Sequence, residues 1–156
     1  MLTVMWRRPL RAVRAFWLPL AVVVNACGLR DNSWLKCVFL GSVLGGLKRE
    51  NLESIVQHFV DRMLRHQIRP GARAAIKWHR EAGHRIVLAT ASFDFYVNAL
   101  AKQLDVDDVV CTESVWCDNR LTSNLRSRNC YGEEKLRRLI LLLCKKKDRP
   151  YIYTYT

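Results

Sequence analysis

An α/β fold with a parallel sheet, preceded by a helical region, is what this sequence predicts, and three observations predict it. Ile86 to Ala89 are four consecutive apolar residues with no alternation, the pattern of a strand buried on both faces, as the central strands of parallel sheets are. From Arg69 onward helical periodicity and short β-type runs alternate, as they do when crossover helices join parallel strands. The first half, by contrast, reads as helices. The expected organisation is therefore a helical region over residues 1–68 and an α/β region over residues 69–156.

The length of 156 residues is that of one ordinary domain, and a hydrophobic share of 50% excludes a disordered chain. Six cysteines, at 27, 37, 111, 117, 130 and 144, form no C-x-x-C pair. His58, His66, His79 and His84 fall on separate expected elements, so neither residue type points to a zinc site. Reduced thiols in the cytoplasm are the expectation. The net charge of +12 is concentrated in the first half, where residues 1–78 hold 13 Lys/Arg against 4 Asp/Glu. Such a field attracts an acidic substrate, anionic lipid or nucleic acid. No nucleic-acid motif accompanies it, and the basic residues are interleaved with core aliphatics.

Residues 1–28 join an arginine-rich start (Arg7, Arg8, Arg11, Arg14) to the apolar run Ala15–Val24. That run falls short of the roughly 20 residues a membrane span needs, and Pro19 interrupts it. A secretory signal, a buried core segment, and a helical hairpin lying on the membrane with Trp6, Trp17 and Trp34 at the headgroups all fit the pattern. In the last reading residues 1–40 contact the inner membrane surface peripherally. The next apolar segment, Ser33 to Leu47, carries Gly41, Gly45 and Gly46, which suggest close helix packing or a turn. From Asn51, taken as the cap, Leu52, Ile55, Val56, Phe59, Val60, Met63 and Leu64 recur at helical spacing. Pro70 opens another helix, with Ala74, Ala75, Ile76 and Trp78 as its apolar face and Gly83 as its stop. A strand over 85–90, a helix over 94–104 with Asp94 as N-cap, and a short strand at Val109–Cys111 follow. The stretch from Ser114 to Thr122 has the pattern of a β-hairpin. Gly132 to about Lys146 predicts a helix whose core face is Leu136, Leu139, Ile140, Leu142 and Leu143. Tyr151 to Tyr155 reads as a closing strand.

In open α/β sheets ligands bind at the carboxyl ends of the strands. The apolar run ends in Thr90-Ala91-Ser92, so a site is expected there. Thr90 supplies a hydroxyl donor at that point. The amides of Ala91 and Ser92 would add backbone donors at a turn into a helix. No Gly-x-Ser-x-Gly elbow is present for serine-hydrolase chemistry.

His84–Ser92, Asp118-Asn119-Arg120-Leu121-Thr122 and Asn129-Cys130-Tyr131-Gly132-Glu133-Glu134-Lys135-Leu136 together resemble the haloacid dehalogenase (HAD) superfamily of phosphatases. The branch is subfamily IB, which includes phosphoserine phosphatase and the C-type phosphatidylglycerophosphatases. The resemblance is good over residues 69 to 156 and weaker before. It implies a partial Rossmann-like HAD core, three-layered with a parallel sheet, and an N-terminal helical cap. Thr90 matches the hydroxyl of the family's second motif and Lys135 the lysine of its third, so the two are the implied phosphate-binding pair, with Ala91 and Ser92 beside them; Tyr131 is a weaker candidate for the lysine's position. The implied reaction is magnesium-dependent hydrolysis of a phosphomonoester, carried on a small molecule such as phosphoserine or on a lipid, through an aspartyl-phosphate. The family's Asp-x-Asp-x-Thr nucleophile motif does not occur in this sequence. Asp105-Val106-Asp107-Asp108 follows a helix and reads as a polar loop, and the family's metal-binding aspartates have no match after Tyr155. The chain thus reads as a hydrolase truncated at both ends, inactive alone, without catalytic nucleophile or metal ligands. A non-enzymatic basic module that binds anionic membrane or nucleic acid is the alternative.

Overall fold

The computed structural model describes residues 18–144 and 151–155. Six helices and two small sheets follow one another as α1 Leu18–Ala26, α2 Asn32–Val43, α3 Arg49–His66, α4 Pro70–Glu81, β1 Val87–Phe93, α5 Asp94–Gln103, β2 Asp108–Thr112, β3 Ser114–Cys117, β4 Arg120–Leu125 and α6 Glu133–Cys144. The fold is mixed α/β, with β1 and β2 parallel and β3 and β4 antiparallel.

The helical half is organised around one apolar cluster. Leu40, Val43, Leu44 and Leu47 from α2 and its exit meet Leu52, Val56 and Val60 of α3, with Leu100 of α5 and Leu121 of β4. The three- and four-residue spacing along α3 is what brings its members onto one face. Asp31 caps α2 by accepting from the Trp34 amide at 2.9 Å. Gly41, within α2, lies so close to β4 that a Cβ would sit 2.8 Å from that of Ser123. Gly46, at φ +75°, turns the chain out of the α2 exit. The backbone then runs alongside the hairpin: Gly46 N donates to Leu121 O at 2.7 Å and Leu121 N to Leu47 O at 2.9 Å. Both glycine roles expected from sequence, close packing and a turn, occur here.

The α/β half follows the expected order with shifted edges. β1 begins at Val87, because Arg85 and Ile86 are held by side chains: Arg85 pairs with Asp108, and Ile86 N donates to Asp107 at 2.7 Å. β1 ends three residues later than the expected 90. Every residue of it is half-buried, against the expectation of burial on both faces, because among the described residues it pairs with β2 alone. The register runs Val87 with Asp108 and Ala89 with Val110, then jumps to Phe93 with Thr112. Thr90, Ala91 and Ser92 therefore bulge out of the ladder. Between β3 and β4, Asp118 and Asn119 both take positive φ, +46° and +59°, the twist that closes a tight hairpin.

Five further expectations are corrected. Asn51 lies inside α3, whose N-cap is Lys48, and α5 is capped by Phe93, with Asp94 its first helical residue. Along α4 the buried side chain is His79, while Trp78 is exposed and stacks edge-on against His79 and His84. No residue of α6 is buried, and Leu136 and Ile140 remain 59% and 48% exposed. The reason is that α6 is held to β2 through polar contacts of Arg138. Tyr151–Tyr155 forms no strand; Tyr153 and Tyr155 rest instead on the His79 and His84 rings. Residues 1–17 and Lys145, Lys146 and Lys147 lie outside the described residues. Among the described residues no helix is long and apolar enough to cross a membrane.

The tight approach of α2 to β4 gives a test of the packing. Gly41→Ala should destabilise the protein by about 1–3 kcal/mol through overpacking, whereas Gly71→Ala, which meets nothing within 4 Å at the start of α4, should be neutral or stabilise by about 0.5–1 kcal/mol. Urea midpoints of the two variants check the contrast.

Candidate functional site

The parallel pair puts the Thr90–Ser92 bulge at the carboxyl end of β1, beside Thr112 at the end of β2. Bulges of this kind re-aim side chains and cluster near active sites. Ser92 N donates to Thr90 Oγ1 at 3.2 Å, so that amide is engaged within the bulge and Thr90 keeps its hydroxyl proton to offer outward. The carbonyl of Ala91 turns the other way and accepts from Thr112 Oγ1 at 2.8 Å. The four-residue acidic stretch lies at the opposite end of the strands: Asp105 and Asp107 pair with Arg80, and Asp108 with Arg85. Arg80 and Ile86 together hold the Asp107 carboxyl below its ordinary range. These carboxylates cap the start of the sheet and are remote from Thr90.

Three residues not singled out from sequence complete the cluster. Thr112 is fully buried; its hydroxyl reaches Ala91 O, lies 3.0 Å from Asn129 Oδ1, and accepts from Cys130 N at 3.1 Å. Asn129, also buried, donates its amide to Ser33 Oγ at 3.2 Å. Lys36, one helical turn beyond Ser33 on α2, sends its ammonium to Ala91 O, to Asn129 Oδ1 at 2.7 Å and to Thr112 Oγ1 at 3.3 Å. It also lies 5.1 Å from the Phe93 ring centre. A signal for Lys36 did exist, since it is the one charged residue in the otherwise apolar and neutral α2. Asn129 opens the motif that ends in Lys135.

Lys135 stands in the first turn of α6, half-buried, and near enough to Lys36 that their charges oppose each other. Burial strips water from Lys36 and lowers its pKa; Lys135 lowers it further, while Cys130 and Cys111 act the other way. Burial also drives both thiols upward, Cys111 to about 12, which leaves them neutral at physiological pH. Among the described residues no carboxylate pairs with either lysine. Thr90 and Lys135 are thus brought to the same end of the sheet, with Lys36 between the bulge and α6, and Tyr131 is largely exposed. Asp94 is occupied in structure: its Oδ1 accepts from Phe95 N, Ser114 N and Ser114 Oγ.

Arg138 sets the position of α6. It donates to Cys111 O at 2.7 Å, to Arg128 O at 2.9 Å and to Glu134 at 2.7 Å. Arg137 and Arg138 together hold the Glu134 carboxyl at about 2. Two open clefts lie elsewhere, one of about 380 Å3 between α4 and the end of α5 and one of about 490 Å3 beside α2 and β4.

The sequence model of the haloacid dehalogenase-like hydrolases matches residues 1–155. The chain belongs to the HAD family. Protein CicA of Caulobacter vibrioides (strain NA1000 / CB15N) is 30% identical over 112 residues, which are 70% of this chain and 50% of that protein. The chain spans about half the length of the curated relatives it matches. A Bordetella pertussis Tohama I protein of unknown function superposes with a TM-score of 0.70 at 20% identity, over 80% of this chain and 56% of the other. A probable phosphoserine phosphatase from Vibrio cholerae gives 0.64 at 13% identity, over 82% and 37%. At these identities the structural likeness establishes a HAD-like fold.

Magnesium takes hard oxygen ligands, carboxylates above all. Among the described residues of this HAD chain no three His, Cys, Asp or Glu side chains are grouped to hold a metal, and the carboxylate that follows β1, Asp94, is taken up by Phe95 N and by Ser114. These residues do not fit a magnesium ion.

Two outcomes are expected for the junction. Thr112→Val strands the buried Cys130 N and should cost about 1–3 kcal/mol, whereas Thr112→Ser keeps the hydroxyl and should cost about 1 kcal/mol for the lost methyl; urea unfolding separates them. Because the Glu134 carboxyl lies at about 2 against an ordinary 4.5, its stabilisation is complete above pH 4.5 and is lost as the pH falls through 2. Glu134→Gln should therefore lower stability at neutral pH and flatten its decline across that acid window, read as urea midpoints against pH.

Proposed function

We propose that this HAD-family hydrolase chain supplies the phosphate-binding part of a phosphomonoester phosphatase. The observation that carries the reading is the presence at one sheet end of a bulged hydroxyl, Thr90, and two ammoniums, Lys135 and Lys36, with no carboxylate pairing either lysine among the described residues. A site so charged favours a dianion, and the Thr90 hydroxyl donates to one phosphate oxygen while Lys135 neutralises another. In this reading residues 1–68 act as a cap-like region over the partial core of 69–156. The resemblance gives the complete enzyme an aspartyl-phosphate route with magnesium. The residues present bind and orient the phosphoryl group but contain no Asp-x-Asp-x-Thr nucleophile motif. The substrate class is a phosphate monoester, with phosphoserine or a phospholipid phosphate as the two candidates; the likeness in fold to phosphoserine phosphatases supports the first, and the basic first 40 residues the second.

Titration of the chain with inorganic phosphate, followed by calorimetry, tests this. Thr90→Val and Lys135→Met should each weaken binding, the lysine variant about tenfold or more, as expected for losing a charge-assisted hydrogen bond. Para-nitrophenyl phosphate with magnesium should not be turned over. Phosphate affinity indifferent to both substitutions would remove the site, and magnesium-dependent turnover would refute the expected inactivity of this chain.

A further inference from the structure

We propose that Lys36, carried by helix α2 of the cap-like region, is itself a phosphate ligand, so that the phosphoryl group is gripped by two lysines from opposite sides of the site and ties α2 to the core when it binds. This rests on the phosphate site proposed above and adds to it a residue that neither the sequence motifs nor the family match assigns.

The argument begins with what Lys36 touches. All three of its acceptors, Ala91 O, Asn129 Oδ1 and Thr112 Oγ1, are neutral groups. The titratable groups around it are Lys135, a like charge, and the thiols of Cys111 and Cys130, which are protonated at physiological pH. A half-buried ammonium held by neutral dipoles beside a second ammonium is electrostatically incomplete. A dianion between the two lysines removes the repulsion and the desolvation deficit together.

Geometry makes the step small. Ala91, the acceptor Lys36 grips, stands between Thr90 and Ser92, so the ammonium is already at the bulge that presents the Thr90 hydroxyl. Its contact with Thr112, at 3.3 Å, is the long one, and Thr112 Oγ1 also accepts from Cys130 N. That donor can turn to a phosphate oxygen while the bonds to Ala91 and Asn129 persist. Lysine suits this role, because its three donors rotate about a flexible stem. Ser33, one turn earlier on the same face of α2, accepts from the Asn129 amide. The helix is therefore registered on the strand-end cluster at two points, and an anion bound by Lys36 strengthens that registration.

The test uses the full chain, inorganic phosphate as probe, and lysine labelled with carbon-13 at Cε. Saturating phosphate should move the Lys36 resonance at fixed pH, and Lys36→Met should weaken phosphate binding about tenfold, with Lys36→Arg recovering most of it and Lys102→Met, on the exposed side of α5, leaving it unchanged. Because Lys36→Met also removes a contact between α2 and the core, the resonance in the wild-type chain decides if that variant folds poorly. A Lys36 signal that stays still at saturation, while Lys135→Met abolishes binding, would make Lys36 a structural strut and overturn the proposal with the phosphate site intact. Absence of phosphate binding by the wild-type chain would overturn both. Repeating the titration with O-phosphoserine and with vesicles containing phosphatidic acid separates the sources of the phosphoryl group: movement of Lys36 by either supports the proposal, and by neither overturns it.

Discussion

The hydroxyl of Thr112 sees no solvent, and the arrangement of everything around the candidate site depends on it. It stands at the point where the end of β2, the bulge of β1 and the segment leading into α6 meet, and it bonds to all three. Buried polar groups left without partners are costly, and networks in which every member is satisfied fix a single geometry. The Thr112 hydroxyl has one proton, so only one of Ala91 O and Asn129 Oδ1 can receive it at a time; the Lys36 ammonium donates to both acceptors and removes the conflict. A cation from the helical half is thus built into a junction of the α/β half.

That arrangement has an electrostatic consequence. Ion pairs elsewhere in the chain are local and balanced, as between Arg80 and the acids at 105 and 107, Arg85 and Asp108, or Arg138 and Glu134. The first two lie at the amino end of the sheet and the third on the side of α6 that faces β2, where they hold strands and helix in place. At the carboxyl end Lys36 bonds neutral oxygens and has a like charge, Lys135, and the protonated thiols of Cys111 and Cys130 near it. Surface pairs contribute little to stability, but an unbalanced, partly buried pair of like charges opposes folding unless a ligand neutralises it. Ion pairs thus fix the amino end of the sheet internally, while Lys36 and Lys135 at the other end have no carboxylate partner among the described residues.

Much of this was legible in the sequence wherever the signal was local. The order β1, α5, β2, hairpin, α6 followed from short apolar runs separated by Gly83, the Asp118-Asn119 turn and Gly132, because chain reversals need residues that tolerate positive φ. That Thr90 falls at the carboxyl end of β1 and Lys135 in the first turn of α6 followed from patterns a few residues long. What could not be read was set by partners distant in sequence. The bulge at Thr90–Ser92 exists only against the register of β2, and the early stop in sequence logic at residue 90 missed it. Asn51 and Asp94 looked like caps by type, yet backbone geometry begins each helix elsewhere, and Asp94 is drawn to Ser114 instead. Lys36 stood out as the one charge in α2, but periodicity alone does not say that this face of α2 meets Asn129, 93 residues away.

The exposed apolar surface follows the same reasoning. Ile86 to Ala89 is patterned for burial on both faces, and every residue of β1 is only half-buried; α6 carries aliphatic residues on several faces, and none is fully buried. Both deficits fall on the α/β half, whereas the cluster centred on Leu40, Leu52 and Val60 in the helical half is closed. Leu139, Leu142 and Leu143 are half-buried and so gain only part of the roughly 25 cal/mol per Å2 that full burial would give, and the bonds of Arg138 add to what holds α6. The polar junction around Thr112 is insulated from that shortfall. Its members are joined by hydrogen bonds among α2, the β1 bulge, β2 and the Asn129 segment, so the placement of Lys36 beside Thr90 depends on that junction and not on how far α6 is covered.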